Sequence, residues 1–140
     1  MSAASSTPLN PPRRSGKGVG PPRIYILDER ESVRHALADR LARTMSVAVV
    51  GESGEASRAL QAAQEAGADV VLVEIKRGDG MGLELVRQFS AAPEPLRVVV
   101  LTSYPTEWEE AAAKRAGASV YLLKDIHTEE LLQYILGDRS

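Results

Sequence analysis

Five short apolar runs, each followed by a stretch with helical spacing, most restrict the folds open to this chain. The runs are Ile24–Leu27, Val47–Val50, Val70–Ile75, Val98–Leu101 and Val120–Leu123. Each is rich in β-branched or large aliphatic side chains and too short for a typical helix, as buried strands are. Between them Val33, Leu37 and Leu41 recur at intervals of four, with Ala36 alongside. Ala56, Ala59, Leu60 and Ala63 repeat the helical pattern, as do Leu83, Val86 and Phe89. Further helices are predicted from Thr106 to Ala116 and from Thr128 to Leu136. Gly67 and Gly117 stand where left-handed helix caps are wanted. Pro93 and Pro95 separate the third helix from the fourth strand. Thr106-Glu-Trp-Glu109 has the spacing of a capping box. Thr128, followed by Glu129 and Glu130, reads as the cap of the last helix.

Five such βα cycles predict an α/β fold, a parallel sheet covered by helices on both faces. Right-handed crossovers leave few topologies. The flavodoxin-like doubly wound order 2-1-3-4-5 sets the first and third strands side by side at the switch point, where such folds place their sites. The expected division is a disordered leader over residues 1–22, one domain over 23–137 and a short tail over 138–140. The leader holds five of the eight prolines, with glycine and serine and almost no large apolar side chain. Such a segment buries too little surface to offset its ordering entropy.

Composition removes several function classes. There is no cysteine, which excludes disulfides, thiolate metal sites and a cysteine nucleophile. The two histidines, His35 and His127, lie in unrelated contexts, which argues against a histidine-based metal cluster. No apolar run is long enough to span a bilayer, and no signal-peptide pattern opens the chain, so the expected location is cytoplasmic. The net charge is −2, and Arg13, Arg14 and Lys17 put +3 on the leader, leaving −5 on the remainder. An acidic body is not a nucleic-acid reader, so nucleic acid would be met only through the basic leader or a separate output domain.

Chemistry concentrates where the runs end. Glu74 is the only charge between Val70 and Ile75. A buried strand carries a carboxylate only where the group has a task or a partner. Asp28 and Glu29 close the first run, Thr102 the fourth and Lys124 the fifth. Three acids, a hydroxyl and a lysine at one sheet edge suit a phosphoryl group. Two carboxylates hold a hydrated Mg²⁺, while lysine and hydroxyl meet phosphoryl oxygens.

The stretches Ile24-Tyr-Ile-Leu-Asp-Glu29, Ala68-Asp-Val-Val-Leu-Val-Glu-Ile75, Val98–Ser103 and Ala116-Gly-Ala-Ser-Val-Tyr-Leu-Leu-Lys-Asp125 occur in a telling order. In that order and spacing, residues 23–137 resemble a receiver (CheY-like) domain of a bacterial two-component response regulator. The last stretch is most similar to receivers of the LuxR/NarL type. The resemblance implies Asp28 and Glu29 as metal acids, Thr102 as switch hydroxyl, Lys124 as phosphate-binding lysine and Tyr121 as switch aromatic. It implies a protein partner (histidine kinase, regulator or a second copy) on the fourth helix, fifth strand and fifth helix, with a homodimer as one form of that contact and no role for a membrane.

Glu74 departs from the family pattern by standing where the phosphoacceptor aspartate is expected. Its extra methylene moves the carboxylate by about 1.5 Å, and misplacement of about 1 Å costs on the order of 100-fold in a transfer that depends on positioning. Lys76 and Arg77 add positive charge that would replace a metal instead of assisting one, so the Mg²⁺ that the resemblance implies is set against them. The leading expectation is a pseudo-receiver, not an enzyme, in which Glu74 pairs with Lys124 without phosphorylation. The alternatives are a Mg²⁺-dependent receiver phosphorylated on Glu74, a metal-dependent phosphotransfer or hydrolase enzyme at the same acids, and an ion pair without signalling meaning. Trp108 is read either as an interaction residue or as partly buried packing, and Asp79 as a solvated loop acid.

Overall fold

The computed structural model describes residues 20–137. Most of the expected leader and all of the tail lie outside the described residues. The elements are β1 (Arg23–Leu27), α1 (Glu31–Arg43), β2 (Ala48–Ser53), α2 (Ala59–Glu65), β3 (Val70–Glu74), α3 (Gly82–Ala91), β4 (Arg97–Thr102), α4 (Glu107–Ala116), β5 (Val120–Leu123) and α5 (Thr128–Ile135). The strands form one sheet in the order β2-β1-β3-β4-β5, every pair parallel. This is the flavodoxin-like arrangement expected from the alternation.

Strand periodicity divides the core into two layers, because successive side chains point to opposite faces. Tyr25, Leu27, Val71, Val73, Val98 and Val100 pack with Leu85, Val86 and Phe89 of α3 and with alanines of α2 and α4. Ile24, Ile26, Val70, Leu72, Val99 and Leu101 pack with Leu37 and Leu41 of α1 and Leu131 and Ile135 of α5. The central strand β3 is buried along its whole length, which is why every residue of it but Glu74 is apolar.

Three local readings need correction. The second strand runs to Ser53, past the expected Val50, because as an edge strand half-exposed on both sides it tolerates Gly51, Glu52 and Ser53. A bulge shifts its register so that Tyr25 pairs with Gly51, where a Cβ would stand 2.6 Å from the Tyr25 ring. Ala56 precedes α2 instead of opening it, although it still packs on the core. Thr128 is the first helical residue of α5; the cap position belongs to the extended His127, with no side-chain cap bond. Glu129 and Glu130 nonetheless sit in the first turn, where the helix dipole favours them. Gly67 and Gly117 have the expected positive φ, +74° and +119°.

Candidate functional site

Sheet register assembles the site. Leu27 pairs with Val73, so the next residues, Asp28 and Glu74, stand side by side at the sheet edge. Glu74 pairs with Leu101, and Thr102 with Leu123, which brings Thr102 and Lys124 to the same edge. Asp28, Glu74 and Thr102 are all buried. Gly82 lets α3 start hard against this edge, since a Cβ there would lie 2.0 Å from the carbonyl oxygen of Ile75.

Lys124 organises the centre. Its Nζ donates to Asp28 Oδ2 at 2.5 Å and to Glu74 Oε1 at 2.9 Å. The remaining oxygens are also engaged. Asp28 Oδ1 accepts from the Arg30 N–H, and Glu74 Oε2 from the Lys76 N–H, each at 2.9 Å. Glu29 turns away from this pair; its Oε1 accepts from the Gly78 N–H at 2.8 Å. The three acids therefore do not close into one cluster. Among the described residues, no group of three or more acidic or histidine side chains is placed to hold a metal ion. Of the expected metal acids, Asp28 has both oxygens and Glu29 has Oε1 already accepting from protein donors, while Glu29 Oε2 lies 3.9 Å from Arg77 Nη2.

The two basic residues after Glu74 diverge. Lys76 points to α4, its Nζ 2.8 Å from Glu109 Oε2. Arg77 stays at the acidic edge, with its side chain only 1% exposed. Its Nη2 donates to the Gly54 carbonyl at 2.7 Å and to Asp79 at 3.0 Å, and lies 3.9 Å from Glu29 Oε2. Asp79 is solvated, as its loop position suggests, but it is also the main carboxylate partner of Arg77. The hydrogen bond from Arg77, aided by the Met81 N–H, holds its carboxyl below the usual range.

Thr102 does not reach the acids through its hydroxyl, which accepts from the Tyr104 N–H at 3.3 Å. Tyr121 is half-buried; its ring packs on the core while its hydroxyl donates to Glu109 Oε1 at 2.6 Å. Burial, and then the hydrogen bond to Glu109, push the Tyr121 phenol up to about 12. Glu109 is thus the functional candidate that the sequence alone did not reveal. Its backbone N–H completes half of the expected capping box by donating to Thr106 Oγ1 at 3.0 Å. The reciprocal half is replaced: the Thr106 N–H donates to the Tyr121 hydroxyl at 3.2 Å, which frees the Glu109 carboxylate for Tyr121 and Lys76. Trp108 is 70% exposed and so is not packing.

A family profile described as the response regulator receiver domain matches residues 24–136. The DNA-binding transcriptional activator DevR/DosR of Mycobacterium tuberculosis is 34% identical over 81% of this chain and 52% of its own length. The transcriptional regulatory protein LiaR of Bacillus subtilis is 29% identical over 81% of this chain and 54% of its own. The chain therefore spans about half the length of these curated relatives. A LuxR-family two-component response regulator from Aurantimonas superposes with a TM-score of 0.76 at 27% identity, covering 86% of this chain and 88% of that one. The receiver domain of the response regulator NarL of Mycobacterium tuberculosis superposes with a TM-score of 0.77 over 85% of this chain and 96% of that one. At 24% identity it bears on the fold alone.

Proposed function

This chain belongs to the response regulator receiver domain family, and we propose that it is an atypical member whose signalling does not depend on phosphorylation. The observation that carries this reading is the state of Glu74. Its carboxylate holds Lys124 and the Lys76 N–H at once. Each Glu74 oxygen already accepts a hydrogen bond, one of them from an ammonium, which draws electron density away from the group that would attack a phosphodonor. One glutamate imitates a phosphorylated residue only in part, because a phosphoryl group brings about −2 charge and three acceptor oxygens. The result is one fixed arrangement of Asp28, Lys124 and Glu74, not a cycle between two.

Lys76 links this arrangement to the exterior. Its N–H holds Glu74, and its ammonium holds Glu109, which holds Tyr121. A change at the acids thereby has a physical route to α4 and β5 through one residue. The expected output is a protein contact beside β5. Of the five exposed large apolar side chains among the described residues, Leu123 lies on β5, Trp108 on α4, Tyr104 between β4 and α4, and Leu136 directly after α5. Among the described residues no helix is long and apolar enough to cross a membrane.

Intact-mass spectrometry after incubation with Mg²⁺ and acetyl phosphate tests the reading. We expect an unchanged mass. Near-stoichiometric phosphorylation that disappears in Glu74→Gln would overturn the proposal.

A further inference from the structure

Arg77 stands in the loop between β3 and α3, and its guanidinium is almost wholly enclosed. An arginine is charged at every accessible pH, so enclosing one demands a compensating structure. Here the compensation is an acceptor set from three connections. Nη2 meets the Gly54 carbonyl and Asp79 Oδ2, Nε meets both Asp79 oxygens at 3.1 and 3.3 Å, and Glu29 Oε2 completes the surround at 3.9 Å. Nη1 is buried with no hydrogen-bond partner among the described residues. An unpaired buried donor is unfavourable, so this placement is retained against a local cost.

The two neighbouring acids are thus served by two cations of the chain itself. Lys124 serves Asp28, and Arg77 stands beside Glu29. A divalent cation at Asp28 and Glu29 would share Asp28 with the Lys124 ammonium and lie next to a guanidinium, so it would meet two positive charges already in place. Mg²⁺ also requires near-octahedral oxygen ligation, and three of the four oxygens on offer already accept from Lys124, Arg30 and Gly78, while the fourth, Glu29 Oε2, faces the Arg77 guanidinium.

We infer that Arg77 is a built-in counter-ion that takes over the charge-compensating task of a divalent cation at this edge, making the domain's folded state independent of Mg²⁺. The inference deepens the reading of the site given above and rests on it for the identity of the metal acids. It gives the loop after Glu74 a purpose: Arg77 and Gly78 supply the counter-ion and the N–H that fixes Glu29.

Thermal unfolding of the full chain, with and without millimolar MgCl₂, tests it. Ligands that bind only the folded state raise Tm. The wild type should melt at the same temperature in both, and Arg77→Met should acquire a saturable Mg²⁺-dependent rise that Glu29→Gln removes. A saturable rise in the wild type, or an Arg77→Met protein as indifferent to Mg²⁺ as its parent, would overturn the inference. Should Arg77→Met fail to fold, Mn²⁺ titration of the wild type by NMR decides. No selective broadening of the Asp28 and Glu29 amides is expected, and selective, saturable broadening there contradicts the inference. The two proposals fail separately. Wild-type cation binding without labelling removes the role of Arg77 alone, and labelling of Glu74 without cation binding removes the phosphorylation-independent reading alone.

Discussion

Lys124 Nζ lies 2.9 Å from Glu74 Oε1 while also holding Asp28, so one ammonium bridges two buried carboxylates. Removing it would leave like charges adjacent in a poorly solvated place. Lys124→Met should lower stability by about 3–5 kcal/mol, the usual cost of breaking one side of a buried ion pair. Adding Glu74→Gln should restore part of that loss, because one carboxylate charge is gone. Urea denaturation of the two single variants and the double variant measures the coupling; additive losses would mean that the bridge carries no interaction energy.

Tyr121 offers a spectroscopic handle. Its pKa rises from the ordinary 10.0 to about 12, so the folded state holds the phenol proton more tightly than the unfolded state. The resulting stability is present below about pH 10 and is lost as pH rises through about 12. The difference in phenolate absorbance between wild type and Tyr121→Phe should have its midpoint near 12, and Glu109→Gln should bring that midpoint down. A wild-type midpoint at 10 would deny the hydrogen bond to Glu109.

Gly82 is a steric requirement of the site. A methyl group would collide with the Ile75 carbonyl oxygen at 2.0 Å, so α3 or the loop after Glu74 must move. Overpacking of this kind typically costs about 1–3 kcal/mol. Gly82→Ala should therefore lower the urea midpoint by a corresponding amount and shift the Lys76 and Arg77 amide resonances. Unchanged spectra would show that the approach is looser than described.

Trp108 reports on the proposed contact face. At 70% exposure its fluorescence should be red-shifted and readily quenched by acrylamide in the isolated chain. Trp108→Ser should change folding stability by no more than about 0.5 kcal/mol, as exposed substitutions generally do. If two copies associate on this face, the emission should move to the blue as the sedimentation coefficient rises with concentration. A rising sedimentation coefficient with constant emission would assign the contact to another face.

The fold was legible because its signals are local and repeated. Apolar runs, helical spacing and the Gly67 and Gly117 caps all point to the same topology, and topology alone sets Asp28 beside Glu74. Side-chain choices at the edge were less legible, because each depends on competing partners. Lys76 and Arg77 are adjacent and both cationic, yet one reaches α4 and the other the acids. Glu29 follows Asp28 directly but is captured by the Gly78 N–H, an interaction across 49 residues of sequence. Glu109 read as a cap, and only the position of the Tyr121 hydroxyl turned its carboxylate into a link. Strand β2 was underestimated because an edge strand with one neighbour does not need the apolar composition by which strands are recognised.

The central claim is that Asp28, Lys124 and Glu74 hold one arrangement that no phosphoryl group resets. Beryllofluoride, a phosphoryl mimic, added with Mg²⁺ to the ¹⁵N-labelled chain tests it most directly. The account predicts unchanged amide resonances for Thr102, Tyr121 and Lys124. Saturable shifts of all three, absent in Glu74→Gln, would contradict it.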